Sequence, residues 1–258
     1  MVFHVGILLQ DDLNDISHKP EHLIKECLLG RTVSEGCLKL LSAYATAIAI
    51  PDYGLCYVYN LNPTHENSTE TINAPGPHHG LTLTFDLESL YNMRYGLTKS
   101  SGVLIALHDP RKMPTIKSKP IFLEPRKKTW IRIEKTAMTR QKEPYISDCS
   151  DEYPSALQED IAKDKSSDYL YSNSYCKALC LINYLLDSCN CTDPLRLEGI
   201  FLDDLDTTEN VTFCSTLKDS NQRICANEAA NDFETSQREL CPCKSECNSI
   251  DYQVSSII

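Results

Sequence analysis

The chain has no surplus of positive charge: 25 Lys and Arg stand against 36 Asp and Glu, a net charge of −11. Binding to a phosphate backbone needs basic residues gathered on one face, so nucleic acid is excluded as a partner. An acidic surface suits cations or basic peptides. Long apolar runs are missing too. Residues 1–10 ("MVFHVGILLQ") carry no basic leader, and both this run and 38–51 are shorter than the roughly 20 residues a membrane helix needs. Enzyme signatures are equally scarce. No G-x-S-x-G, H-E-x-x-H or P-loop occurs, and "STLK" from Ser215 is a lone S-x-x-K beside Cys214. No catalytic residue and no cofactor is expected.

What the chain does have is cysteine, 13 in all, with Asn-x-Ser/Thr sequons at Asn67, Asn190 and Asn210. Cytosolic proteins seldom keep so many thiols, so the sequence reads as extracytoplasmic. Asn190 stands between two cysteines and is set aside, leaving Asn67 and Asn210 as glycosylation candidates. An odd cysteine total leaves one thiol without a partner. With no targeting segment in view, the expectation is a fragment of a longer protein.

Apolar residues make up 41% of the chain, enough for a core. From Leu23 to Tyr59 a helix mixes with the strand-like "LCYVYN", followed by a polar loop to His79. "LTLTFDLE" then alternates, with Leu81, Leu83, Phe85 and Leu87 on one face of a half-buried strand. "GVLIALHDP" from Gly102 is unbroken and reads as a strand covered on both faces; "TWIRIEKT" from Thr129 alternates again. The basic stretch 111–128 between them reads as a long solvated connection that meets acidic parts of the chain.

After Pro144 the pattern turns helical. Ser172 to Ser174 offer N-caps before "YCKALCLINYLLDSC", where Tyr175, Leu179, Ile182 and Leu186 recur at helical spacing. A second helix from about Ser220 includes Cys225, Ala229 and Phe233 and stops before Cys241. Strands first and helices after give an α+β class with a separate helical subdomain.

Two cysteine groups, "CNC" at Cys189 to Cys191 and "CPCKSEC" at Cys241 to Cys247, could be metal ligands, redox centres or staples. Structural zinc favours C-x2-C to C-x4-C pairs with matched partners; here the pairs are C-x3-C and C-x-C in an exported chain, so no metal site is expected. A redox C-x2-C is absent. Staples suit the geometry. Cys176 and Cys180 share a helix face about 6 Å apart along the axis. Cys241 and Cys243 share a face of an extended segment about 6.6 Å apart. Two adjacent bridges, Cys176 to Cys243 and Cys180 to Cys241, would fit these spacings. Ten cysteines admit about 945 pairings, however, so spacing alone leaves the connectivity open.

Taken together, "GLCYVYN" around Cys56, "GLTLTFDL" from Gly80, "GVLIALHDP" from Gly102, "EPYISDC" ending at Cys149, C-x3-C-x8-C-N-C and C-x-C-x3-C resemble the degenerin, epithelial sodium channel and acid-sensing ion channel superfamily. The likeness runs from about Cys27 to the end. It implies a partial hand-like channel ectodomain, α+β, with a β-rich palm and β-ball and a disulfide-stapled helical thumb. By resemblance, 1–79 is partial finger and palm entry, and 80–144 holds β-ball and palm strands with a connecting loop. The thumb is 145–248, and 249–258 starts the return palm strand.

Family pairing implies Cys27–Cys37, with a longer spacing here than in acid-sensing members, together with Cys149–Cys247, Cys176–Cys243, Cys180–Cys241, Cys189–Cys225 and Cys191–Cys214. Cys56 would be unpaired here, its partner and a first membrane helix lying upstream, and a second membrane helix with the pore following Ile258. The implied function is the extracellular gating region of a trimeric amiloride-sensitive sodium channel subunit at the plasma membrane, homo- or hetero-trimeric, passing ligand or force to a pore that conducts sodium ions. A peptide ligand is one possible stimulus. The alternative, from another class, is a secreted disulfide-rich binding module without a pore.

Tyr145 in "EPYISDC" resembles the aromatic at the thumb base that couples thumb to gate, with one extra residue before Cys149; the plainer reading is a partly buried tyrosine after a proline turn. Acid-sensing members pair carboxylates between finger and thumb. Here Asn227 stands at the first acidic position, only Asp232 lies near the second, and Ser89 and Leu90 precede Tyr91, so proton gating by that route is not implied. His78 and His79 in a Pro-Gly loop and His108 beside Asp109 read as loop and strand-end residues, and "DDLDTTE" from Asp203 as a solvated loop.

Overall fold

The structure, a computed structural model, describes residues 20–30, 32–33, 46–50, 54–59, 74, 76, 78–87, 102–114, 120–158, 169–193, 200–201, 213–215 and 220–257. A single helical turn, α1 (Pro20–Leu23), leads into β1 (Ile24–Leu29). β1 is the centre of a sheet, antiparallel to both β2 (Thr32–Val33) and β5 (Leu81–Phe85), with a register shift against β5 between Ile24 and Glu26. Cys27 is buried there against Ile24, Tyr59 and Leu83. Gly30 makes the turn out of β1 at φ 73°, a conformation that a side chain disfavours. A second sheet joins β3 (Thr46–Ile50), β4 (Gly54–Val58) and β10 (Ile200–Phe201) in the order β10-β3-β4.

Two further pairs follow. β6 (Val103–Ile105) pairs antiparallel with β7 (Ile121–Leu123). Gly102 is required at their edge, since a Cβ there would come within 2.4 Å of the Leu123 carbonyl oxygen. β8 (Trp130–Thr139) and β12 (Asn248–Ile257) form an antiparallel ribbon in unbroken register from Asn248↔Thr139 to Ile257↔Trp130. Trp130, Ile133 and Met138 are exposed on it.

Between the two ribbon strands lies the helical part of the chain. α2 (Asn173–Cys189) starts at Ser172, whose extended backbone suits an N-cap, and stops at Asn190, whose left-handed backbone donates its N–H to the Leu186 carbonyl at 2.9 Å. α3 (Asn221–Leu240) places Ala226, Ala229 and Ala230 on its buried side, so that Leu185 of α2 can pack close against it. Tyr184 and Phe233 meet with ring centres 5.7 Å apart.

Five disulfides hold this pair: Cys149–Cys247, Cys176–Cys243, Cys180–Cys241, Cys189–Cys225 and Cys191–Cys214, with Cα–Cα distances of 4.9, 6.0, 6.1, 5.9 and 5.0 Å. Cys27 is also disulfide-bonded; its expected partner, Cys37, lies outside the described residues. Cys56 is a free thiol packed beside Val58, Met113 and Tyr175. Burial pushes its pKa up to about 11, so little of it is thiolate at neutral pH.

Several expectations need correction. Within 23–59 the described residues form β1 to β4, β4 falling on the strand-like "LCYVYN" as expected, whereas the helix expected in this stretch is not found among them and residues 34–45 lie outside the described residues. The run from Gly102 forms only a three-residue strand with Leu104 exposed, not a strand covered on both faces. The basic stretch 111–128 is no plain solvated connection. Met113 is buried in it, Lys112 bridges to Leu170, and β7 lies within it. Leu81, expected on the covered face of β5, is exposed. Cys241 to Cys243 is not extended: the Cys243 N–H bonds the Cys241 carbonyl at 2.8 Å and the two sulfurs sit 3.3 Å apart.

In the chain-entropy account a disulfide stabilises according to the loop it closes, and the sequence separations here range from 23 to 98 residues. Replacing Cys149 and Cys247 together with serine is expected to cost about 4 to 5 kcal/mol in a urea melt, and Cys191 with Cys214 about 3 kcal/mol. Equal losses would show that loop length is not the governing factor.

Candidate functional site at the base of the helical pair

The helical pair is anchored where the chain enters it, at β9 (Cys149–Ser150), and leaves it, at β11 (Ser245–Glu246). These two short strands run parallel, Ser245 opposite Cys149 and Glu246 opposite Ser150, beside the Cys149–Cys247 bridge. Asp151 accepts the Cys247 N–H at 3.1 Å. Arg140, at the end of β8, reaches the Glu246 carbonyl and the Ser249 hydroxyl, both at 3.0 Å, while its N–H bonds the Cys247 carbonyl at 2.7 Å. Ribbon and helical pair therefore share one hydrogen-bonded junction.

Glu246 is its centre. The Ser172 hydroxyl turns to Ser174 at 2.8 Å and makes no cap bond, and the Asn173 N–H, like the other first N–H groups of a helix, has no carbonyl within α2 to bond. That Asn173 N–H is taken by the Glu246 carboxylate at 3.1 Å, an anion at the positive end of a helix. Lys112 meets the same oxygen at 3.4 Å, with both side chains largely buried. Three segments distant in sequence thus converge on one carboxylate. Burial alone would raise the Glu246 pKa, but the N–H groups of Asn173 and Glu246 and the Lys112 ammonium outweigh it and hold the carboxyl below its ordinary value.

Around this carboxylate the return segment is held by neutral groups. The Tyr171 hydroxyl donates to the Lys244 carbonyl at 2.6 Å, and the Asn173 amide to the carbonyls of Cys243 and Lys244 at 3.0 and 2.9 Å. Tyr153 stacks edge-on against Tyr171 with centres 4.9 Å apart. Burial pushes the Tyr171 phenol up to about 12, so it stays a donor at physiological pH.

Tyr145 stands on a turn at the edge of the same junction. The turn follows a cis Glu143–Pro144 bond and is closed by Ser147, which accepts the Gln141 N–H at 3.2 Å and donates to its carbonyl at 2.7 Å. Lys244 ties it to the return segment through Asp148 at 2.7 Å and Glu143 at 3.2 Å; hydrogen bonds to these two carboxylates raise the Lys244 pKa. Tyr145 itself is 59% exposed and Ile146 fully so, which departs from a partly buried tyrosine.

Among the other sequence candidates, Asn67, Asn210, Ser89, Leu90 and Tyr91 lie outside the described residues. Asp232 is exposed on α3 and Asn227 is partly buried. His108 lies with its Nδ1 3.0 Å from the Asp109 carbonyl oxygen, and His78 and His79 are exposed. The sulfurs of Cys176, Cys241 and Cys243 come within 4.8 Å of one another, but each belongs to a disulfide and offers a metal no thiolate. Glu246, Lys112, Asn173 and Tyr171 escaped the sequence reading. The one local signal was the acidic residue inside "CPCKSEC", next to the last cysteine.

A carboxyl whose folded pKa is depressed contributes stability above its unfolded pKa of about 4.5, lost as pH falls through the folded value. Glu246→Gln is expected to cost about 2 kcal/mol at neutral pH in thermal melts, with the gap to wild type narrowing as pH falls below about 4.5. A gap constant down to about pH 2 would show that the charge on Glu246 carries none of the effect.

Comparison with known proteins fits this framework. The profile of the amiloride-sensitive sodium channel family matches residues 7–257. The chain is 28% identical over 250 residues to the epithelial sodium channel subunit beta of Canis lupus familiaris, covering 95% of this chain and 35% of that protein. The same subunit of Homo sapiens is 27% identical over 248 residues, covering 95% and 35%. The FMRFamide-activated amiloride-sensitive sodium channel of Cornu aspersum is 23% identical over 240 residues, covering 90% and 34%. The chain spans about a third of the length of these relatives. No helix among the described residues is long and apolar enough to cross a membrane. With a matching profile along nearly its whole length and a cysteine-bonded helical pair set between ribbon strands, the chain belongs to the amiloride-sensitive sodium channel family.

Proposed function

We propose that the chain is the extracellular gating region of a trimeric, amiloride-sensitive sodium channel subunit at the plasma membrane, with 145–248 acting as thumb and 249–258 as the start of the return palm strand. The observation that carries this reading is the junction at Glu246: one disulfide, one parallel strand pair and the Glu246 carboxylate on the start of α2 join the helical pair to both strands of the ribbon. Two adjacent disulfides stiffen α2 against the return segment, so a push on the helices reaches β8 and β12 with little lost in deformation. Tyr145, exposed beside the junction, is the candidate contact through which that displacement reaches a membrane helix.

The stimulus is a ligand or force. A relative activated by a peptide, together with a net charge of −11, supports a cationic peptide as one ligand class. Asn227 cannot ionise, which argues against proton gating through a carboxylate pair at that place on α3. Exposed Trp130, Ile133 and Met138 on the ribbon support its burial against other parts of the assembled channel.

The test is to express the complete subunit in oocytes and record sodium current with and without amiloride under acid, peptide and shear stimuli. An amiloride-sensitive current is expected. Tyr145→Ala should reduce the evoked current about fivefold or more, a coupling loss of about 1 kcal/mol, at unchanged surface trimers, and Tyr145→Phe should retain it. A soluble monomer released to the medium, with no current, would overturn this reading in favour of a secreted binding module.

A further inference from the structure

We infer that Asn190 is an N-glycan acceptor, although it stands between two cysteines. The sequon Asn190-Cys191-Thr192 spans the exit of α2. Asn190 ends that helix with a left-handed backbone, φ 53° and ψ 28°, and its side chain is exposed. The chain dives directly after it: Cys191, Thr192 and Asp193 are all at 1% exposure or less. Asn190 is therefore the last residue at this end of the helix from which a bulky group can extend into solvent without displacing the core.

The Thr192 hydroxyl supplies the second, independent observation. It is buried and has no hydrogen-bond partner among the described residues. Packing gives no reason for it: valine has the same shape without an orphan polar group, and a buried hydroxyl left unpaired destabilises the fold. Sequon recognition does give a reason, because the glycosylating enzyme reads a hydroxyl two residues after the acceptor while the chain is still extended. On this view Thr192 serves before folding and is sealed in afterwards, when Cys189–Cys225 and Cys191–Cys214 close on either side.

In the reaction the Asn190 Nδ2 attacks C1 of an oligosaccharide carried on a lipid pyrophosphate. The C1–N bond forms, the C1–O bond to phosphate breaks, the lipid pyrophosphate leaves, and the amide nitrogen gives up one proton. The inference needs only that the chain enter the secretory pathway, as its disulfides imply, and does not depend on channel activity. It also places the far end of the helical pair, opposite the Glu246 junction, outside any subunit contact, since a glycan there would block close packing.

The experiment is to express the full chain through the secretory pathway of a eukaryotic cell and release N-glycans enzymatically in heavy-oxygen water. The peptide carrying position 190 is then read by mass spectrometry, so that Asn67 and Asn210 do not confuse the result. Heavy-oxygen aspartate at position 190 is expected, retained in Thr192→Ser and lost in Thr192→Val, with Thr192→Val melting no lower than the unglycosylated Asn190→Gln. Recovery of position 190 only as unmodified asparagine, in wild-type protein with its disulfides formed, would overturn the inference.

Discussion

Cys149 and Cys247 stand 98 residues apart in sequence and 4.9 Å apart at their Cα atoms, and much of the described structure takes its alignment from that bond. It lies between the end of β8 and the start of β12. The ribbon register is therefore set next to it, with Asn248 opposite Thr139, and so is the parallel pairing of β9 with β11. A two-stranded ribbon of this kind is marginal by itself in water. Fixing its strands at one end covalently removes much of the entropy that separating them would release.

The two ends of the helical pair solve different problems. At the base, Glu246 must be desolvated to meet α2, and that is tolerable because an N–H and the Lys112 ammonium replace the lost water. At the far end, Arg223 holds the fully buried Asp193 at 2.8 Å, between two disulfides that fix where those charges sit. Removing one partner at either end would strand the other in a site with little water. Under the proposed function this division matters, because the base has to transmit displacement while the far end receives it.

Much of the helical part was legible in advance. Tyr175, Leu179, Ile182 and Leu186 repeat at helical spacing, and α2 begins two residues before that pattern and ends three after it. The second helix was read from Cys225, Ala229 and Phe233 for the same reason. Strand alternation located β5 and β8 but not their exposure, since alternation shows that two faces differ and not what covers either one. The junction was hidden. Glu246 is an ordinary acidic residue until a helix start 73 positions earlier is laid against it, and Lys112 stood only as one charge of a basic connection expected to meet acidic parts of the chain, with no partner named.

Local periodicity located α2, α3, β5 and β8 and with them the α+β class, because periodicity depends on residues near one another in sequence, and cysteine content pointed to an oxidising compartment. The family likeness also rested on the chain itself, in motifs spread along its length. Only the tertiary structure decided which groups lose water together. It turned Glu246 into a helix cap, left Tyr145 exposed at the junction, bent Cys241 to Cys243 into a turn, and buried Thr192 beside an exposed Asn190. Desolvation is a property of a place, and no residue carries it in its own side chain.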